Sequence, residues 1–390
     1  MHFIYDIPTK VYFGKDLLQN NLSKEIKKYS DKVLLVYGKS SIKKMGLYDK
    51  VIEELKKGKI EVFELSGIDP NPRVTDVNKG VQICRENDIK AVLAVGGGSS
   101  IDCAKFIGAG YYYDSDAWDL IIYPEKVTNS LPIFSVLTLA ATGSEMDPNA
   151  VISNITTNEK IGGTHRCLYP KVSFLDPTNT FTVSEYQTAC GSADIISHLI
   201  EQYFSPYEDL ELLDNIIEGL LKTVIKYTPI ALENPKDYTA RANLMWTSSL
   251  ALNGLVEGSK IQAWSCHPLE HQLSAFYDIT HGLGLAILTP RWMRFCIKNP
   301  ENISRFKRFA INVFDISENQ SDIEIAEKGI QKLEEFFFET CKLNKTLSEI
   351  GIDDRDFEEM AERITGGKVF DTCYEKMTKN DIISIYKACL

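Results

Sequence analysis

Apolar positions along the first half of the chain follow two alternating rhythms. Lys32–Gly38 is a short β-branched run that ends in glycine, and a helical pattern follows it through Leu55 and stops at Gly58. A second strand, Ile60–Leu65, leads into the turn Asp69-Pro70-Asn71-Pro72. Thr75 is then placed to cap a helix carrying Val77, Val81 and Cys84 on one face. A third strand, Ile89–Val95, runs into Gly96-Gly97-Gly98-Ser99-Ser100, and Leu131–Leu139, Ala150–Asn154 and Lys171–Asp176 are further strand candidates. Strands and helices in alternation with short turns predict a parallel sheet covered on both faces. Beyond Asp176-Pro177, from about Ser184, the strand signals fade. Long amphipathic patterns such as Leu210–Lys226 and Ile323–Leu343 take over. The expected architecture is an α/β, Rossmann-like dinucleotide-binding domain over residues 1–180 and an all-α domain over 181–390. A cleft between two such domains is a common ligand site. No internal repeat or low-complexity tract interrupts this plan.

Composition narrows the function classes. A chain of 390 residues is long enough for two cores. The net charge of −11 argues against a nucleic-acid partner, which requires clustered Lys and Arg. No stretch approaches the roughly 20 apolar residues that span a bilayer, so no membrane partner is expected. The opening MHFIYDIPTKVYFG lacks the layout of a signal peptide. Nine cysteines without regular spacing or a Cys-x-x-Cys pair read as reduced thiols and predict a cytoplasmic protein.

Gly96-Gly97-Gly98-Ser99 lies between a buried strand and a helix beginning near Ser100. Bare backbone amides at such a turn approach a diphosphate, and the helix N-terminus adds partial positive charge. Asp102 is placed to cap neighbouring amides, with Lys105 one turn later. Tight strand-to-helix turns also use glycine for steric reasons alone, and the spacing is not the usual Gly-x-Gly-x-x-Gly. A second turn, Gly38-Lys39-Ser40-Ser41, closes the first strand without a carboxylate for a ribose diol. Its two hydroxyls and the nearby Lys39, Lys43 and Lys44 suit a 2′-phosphate, which favours NADP while leaving NAD possible. A solvated helix cap explains the same residues.

Only six histidines are present, and three of them fall in Cys266-His267-Pro-Leu-Glu-His271 through Thr280-His281-Gly282. A fourth lies in Asp194-Ile-Ile-Ser-His198, where four-residue spacing puts carboxylate and imidazole on one helix face. A single such pair is most simply a helix-face hydrogen bond. The concentration of scarce histidines in two segments nevertheless points to a sulfur-free, open site for Fe²⁺ or Zn²⁺.

With these patterns in view, the sequence resembles the iron-containing (group III) alcohol dehydrogenase family, and within it the NADPH-dependent butanol dehydrogenase branch. The resemblance covers nearly the whole chain. It rests on Pro8–Gly14, Tyr37–Lys44, Pro70–Pro72, Gly96–Asp102, Ala141–Met146, Tyr169–Pro177, Ala193–Phe204 and, most diagnostic, Leu273–Gly282. It implies the dehydroquinate synthase-like fold of that family and metal ligands at Asp194, His198, His267 and His281. His271 is implied to stand beside the site as a proton carrier. Gly97, Gly98 and Ser99, with Asp102 at the turn, are implied to hold the diphosphate. Asn71, Thr138, Thr142 and Ser144 are implied to line the cofactor cleft, and Lys160 to reach the cofactor or substrate edge. Gly38 replaces an aspartate of NAD-preferring relatives, with Ser40 and Ser41 following it. Asp147-Pro148 stands where an asparagine is expected. The implied reaction is hydride transfer between NAD(P)(H) and a small alcohol or aldehyde in a homodimeric enzyme. Trp264, Phe276 and Tyr277 flank the histidines and suit an apolar substrate, although helix core accounts for each. A glycerol-type polyol dehydrogenase and a dehydroquinate synthase-type lyase are the alternatives within enzymes. The lyase needs a basic pocket, and Lys260 is the nearest cation before His267. A non-catalytic metal- or nucleotide-binding protein is the alternative outside them.

Overall fold

The computed structural model describes residues 2–206, 211–258 and 262–390. Eight strands are present among them: β1 (Lys10–Phe13), β2 (Lys32–Tyr37), β3 (Glu61–Ser66), β4 (Val92–Gly96), β5 (Ile133–Leu137), β6 (Asn149–Asn154), β7 (Glu159–Thr164) and β8 (Val172–Leu175). Six form a parallel sheet in the order β1-β8-β5-β4-β2-β3, while β6 and β7 make an antiparallel hairpin. Alternate residues of the central strands feed two separate cores. Leu34, Val36, Val92 and Ala94 pack with helices α4 (Val74–Glu86), α5 (Gly98–Gly110) and α6 (Trp118–Ile122). Val33, Leu35, Leu93 and Val95 pack with α1 (Leu22–Ile26), α2 (Ser41–Lys44) and α3 (Leu47–Lys57). Burial on both faces is why these strands read as unbroken apolar runs.

Several local expectations shift. β4 begins at Val92 instead of Ile89, because the Ile89 amide closes the end of α4 on the Cys84 carbonyl after Asp88 turns left-handed at φ 51°. Thr75 does not cap α4. Backbone pairing of Pro72 and Arg73 with Ser153 keeps the chain extended through Arg73, so the helix starts at Val74 and Thr75 lies inside its first turn. The pattern running to Leu55 is two helices, separated at Gly46 with φ 75°. β1 and β7 had no counterpart among the expected strands.

The chain divides into two compact units. Asp6–Val183 and Pro235–Asn253 form one, and Met1–Tyr5, Ser184–Asn234 and Gly254–Leu390 form the other. The second unit contains no strand among its described residues. It is built from α7 (Glu185–Tyr203), α8 (Glu211–Glu233), α10 (Cys266–Tyr277), α11 (His281–Cys296), α12 (Ile303–Phe314), α13 (Asp322–Glu334), α14 (Phe357–Thr365) and α15 (Lys379–Ala388). Leu210, the expected start of the second of these, lies outside the described residues. The pattern expected to run from Ile323 to Leu343 is α13 continued by a π-helical turn over Glu335–Thr340. Helix α9 (Tyr238–Leu252) falls within 181–390 but belongs to the α/β unit, because Gly143 and Glu145 of that unit pack directly on it. No helix among the described residues is long and apolar enough to cross a membrane. All nine cysteines are free thiols.

Candidate metal centre and cofactor loop

Asp194 and His198 stand on adjacent turns of α7, both buried. His267 occupies the first turn of α10, and His281 is the first residue of α11, following Thr280 at its N-cap. A left-handed Asp278 at φ 51° ends α10 and turns the chain back, so both histidines face α7. Asp194 Oδ1 is the common point: His198 Nδ1 lies 3.6 Å from it, His281 Nε2 3.6 Å and His267 Nε2 3.8 Å. Ligands of a tetrahedral ion with bonds near 2.1 Å sit about 3.4 Å apart, so these gaps suit one cation. Asp194, His267 and His281 each offer an atom within 4.8 Å of the other two. His198 borders that trio and stacks on His267 with centroids 4.6 Å apart.

Whether a metal fits is decided by the polar atoms themselves. Asp194 Oδ1, His198 Nδ1 and His267 Nε2 are buried without a hydrogen-bond partner. Unpaired buried acceptors and ring nitrogens converging on one point are costly unless a cation satisfies them. The residues therefore fit a divalent ion.

Two carboxylates with no expected role, Glu201 and Glu270, hold the imidazoles from behind. Glu201 Oε2 lies 2.9 Å from His267 Nδ1, while its Oε1 accepts the backbone amides of Ser265, Cys266 and His267. One side chain thus caps α10 and fixes the ring that α10 carries. Glu270, fully buried, bonds His281 Nδ1 and accepts from Ser274. Spacing held the signal: Glu201 is seven residues beyond Asp194 on the same helix face, and Glu270 is three beyond His267. Because these partners set ring orientation and basicity, Glu201→Gln and Glu270→Gln are each expected to weaken metal affinity about 10–100-fold without unfolding the protein. Competition with a chromogenic chelator measures this, and affinity within twofold of wild type contradicts the role.

Charge in the site follows from the same contacts. Burial raises the Asp194 carboxyl, but the neighbouring His198, His267 and His281 outweigh it and hold Asp194 at about 2. Burial pushes His198 down to about 4. Burial also opposes charge on His267, yet Glu201 and Asp194 overcome it and hold the imidazole up at about 9. A metal must displace that proton. Affinity is therefore expected to rise with pH until about 9, with a proton released on binding. Calorimetric titration in buffers of different ionisation enthalpy counts it, and zero release would contradict the assignment.

The histidine beside the site, His271, has its ring 5.6 Å from His281 and 6.2 Å from His267, and is partly exposed. Trp264 stands edge-on to His198 and His267. Phe276 lies under Arg363, and Tyr277 donates to Asp356. Lys260 lies outside the described residues.

In the α/β unit, Gly97 is the N-cap of α5 and Gly98 its first residue. No side chain caps this terminus, and no acid occupies its first turn, which suits a bound diphosphate. Thr142 is packed so closely on Gly98 that a Cβ there would lie 2.3 Å from its hydroxyl. Thr138 donates its amide to Gly96, and Ser99 donates its hydroxyl to the Pro70 carbonyl. Gly38, Ser40 and Ser41 sit at the end of β2, the neighbour of β4, with both serines exposed. Asn71 and Lys160 are buried. The Pro72–Ser153 backbone bond draws the Asn71 turn to the hairpin position paired with Lys160. Asp102 does not cap its own helix turn. Its oxygens accept from Ser144 Oγ at 2.6 Å and the Val151 amide at 2.9 Å, which ties Ser144 beneath the loop.

The Asp147 departure has a structural cause. Lys105 is fully buried, and its ammonium donates to Asp147 Oδ1, Asp147 O and Asn149 O at 2.6–2.9 Å. Asp147 is therefore the counter-ion of Lys105, and that lysine is not available to a phosphate.

A model described as "Iron-containing alcohol dehydrogenase" matches residues 8–177, and one for the C-terminal part of the Fe-containing alcohol dehydrogenase family matches residues 188–390. The NADH-dependent butanol dehydrogenase A of Clostridium acetobutylicum is 51% identical over 99% of each chain. The NADPH-dependent aldehyde reductase YqhD of Escherichia coli is 36% identical over 90% of each. A crystal structure of an NADH-dependent butanol dehydrogenase A from Thermotoga maritima superposes with a TM-score of 0.93 at 39% identity, covering 100% of this chain and 98% of that one. Both segments of the chain and its fold thus lead to one place: this protein belongs to the iron-containing alcohol dehydrogenase family.

Proposed function

We propose that the protein interconverts small, mostly apolar aldehydes and primary alcohols of the butanol type, with NADPH preferred over NADH and Fe²⁺ or Zn²⁺ held by Asp194, His198, His267 and His281. The observation that carries this reading is the meeting of those four side chains with three buried donor atoms left unpaired. When bound, the ion supplies Lewis acidity toward the substrate oxygen and the nicotinamide supplies or accepts the hydride. Reduction consumes one aldehyde, one reduced cofactor and one proton. His271, beside the ligands and partly exposed, is the group we assign to pass that proton from solvent. Trp264 contributes an apolar wall next to the ligand rings. The preference for NADPH is supported by Gly38 and the exposed Ser40 and Ser41. The relatives named for NADH raise the opposite expectation. We place the protein in the cytoplasm as a homodimer. The edge position of β1 and the exposed Phe3, Ile4 and Tyr5 support a second copy.

The deciding assay follows NADPH and NADH absorbance with butyraldehyde, before and after chelation, alongside metal analysis. Turnover that is lost on chelation and restored by Fe²⁺ or Zn²⁺ supports the proposal. Chelator-resistant turnover, or glycerol oxidised faster than butanol, overturns it. His271→Ala is expected to keep the metal and to slow turnover with an altered pH profile. An unchanged profile removes His271 from the mechanism.

A further inference from the structure

The turn after β2 has no carboxylate of its own, but the fold brings one to it. β2 and β3 are parallel neighbours, and their following turns stay joined: the Gly67 amide donates to the Gly38 carbonyl at 3.0 Å and the Ile68 amide to Tyr37 at 3.3 Å. This pairing sets Lys39 beside Asp69, with Nζ 3.0 Å from Oδ1. Lys43, a second cation of this segment, is committed elsewhere, over the rings of Tyr48 at 4.5 Å and Tyr37 at 5.2 Å.

We propose that Lys39 and Asp69 together set the choice between NADP(H) and NAD(H), each engaging a different form of the adenosine ribose. This rests on the dehydrogenase reading above. In an open parallel sheet the ribose lies beyond the carboxyl ends of the strands, where Gly38 presents no side chain. A free 2′-hydroxyl is recognised by an accepting carboxylate, here Asp69. A 2′-phosphate is recognised by a cation, here Lys39. Because the two side chains are paired, each ligand must part them: NADPH draws Lys39 away, and NADH turns Asp69 toward the diol. Exposures of 75% and 40% keep the pair in water, where such ion pairs are weak and readily divided. Asp69 therefore restrains Lys39 and moderates the NADPH preference that the turn alone would give. Removing either partner pushes selectivity toward the cofactor that the remaining one reads.

The test is fluorescence titration of NADPH and NADH against full-length wild type, Asp69→Asn and Lys39→Gln, in low and high salt. Asp69→Asn is expected to tighten NADPH about tenfold and to weaken NADH. Lys39→Gln is expected to weaken NADPH about tenfold and to leave NADH equal or tighter. Both NADPH effects are expected to shrink at high salt. A ratio of the two dissociation constants that stays within twofold in Asp69→Asn, or cofactors that shift together in both variants, overturns the proposal. So does a wild type that binds neither nucleotide. A wild type that binds both but reduces no aldehyde instead sinks the function, while the binding ratio still tests the pair.

Discussion

Replacing His267 by alanine is expected to strip the metal from the protein and to lower kcat/KM by at least about a thousandfold, the scale of losing Lewis-acid stabilisation worth several kcal/mol. The choice of His267 is geometric. Its Nε2 is buried without a partner 3.8 Å from Asp194 Oδ1, while its Nδ1 is fixed by Glu201. Deleting the ring leaves Asp194 facing two imidazoles and leaves Glu201 a cap for α10 with no histidine to hold. His281→Ala is expected to act alike, because its Nε2 approaches the same oxygen from α11. His165 serves as the control, since it lies after β7 and its ring Nδ1 meets the Cys167 amide and thiol. His165→Ala is expected to keep the metal and the rate. Elemental analysis beside steady-state kinetics reads both quantities, and a His267→Ala protein that retains stoichiometric metal would remove this residue from the ligand set.

The second large effect concerns a residue with no side chain. A Cβ on Gly282 would lie 2.0 Å from the backbone carbonyl oxygen of Cys190. No rotamer relieves a collision with backbone, so Gly282→Ala must force α11 away from α7. The loss is expected to be at least about 3 kcal/mol of stability. For a unit of this size that is roughly 6–12 °C in melting temperature. Metal affinity is expected to fall with it, because His281 is the preceding residue and Asp194 lies one turn beyond Cys190. Gly219 on α8 is the matched control: a Cβ there meets nothing within 4 Å. Gly219→Ala is expected to be neutral or slightly stabilising by the higher helix propensity of alanine. Equal melting temperatures for the two variants would refute the close-packing argument. Gly284 has a related role, since a Cβ there would press within 2.8 Å of Glu270, the carboxylate that holds His281.

Much of this was legible in the chain because the signals were local. The apolar runs of β2, β4 and β5 announce strands buried on both faces, and the four-residue spacing of Asp194 and His198 announces one helix face. β7 was not legible: Glu159-Lys160-Ile-Gly162-Gly163-Thr164 offers little apolar alternation. Gly163 is explained only by long-range packing, since a Cβ there would strike the Phe106 ring at 2.6 Å. Asp102 and Lys105 were read as partners of a loop at their own helix end, whereas their contacts are Ser144, Val151, Asp147 and Asn149, more than forty residues away. Glu201 and Glu270 were in view as members of motifs, yet what they bond depends on how α7, α10 and α11 pack. The same limit hid the pairing of Lys39 with Asp69, which depends on the adjacency of β2 and β3.

Helix α9 joins the α/β unit although Ser184–Asn234 separates it from β8, the last strand among the described residues. Gly143, left-handed at φ 71°, abuts the Ser248 carbonyl, and the buried Glu145, whose carboxyl burial pushes up to about 7, takes the Ser249 hydroxyl as its partner. On a ribosome, β1 to β8 and the glycine loop are made long before these serines emerge. The nascent sheet therefore lacks the Ser249 partner of Glu145 until α9 has left the exit tunnel. Fragments ending near residue 183, however well they match half of a family, carry that gap permanently.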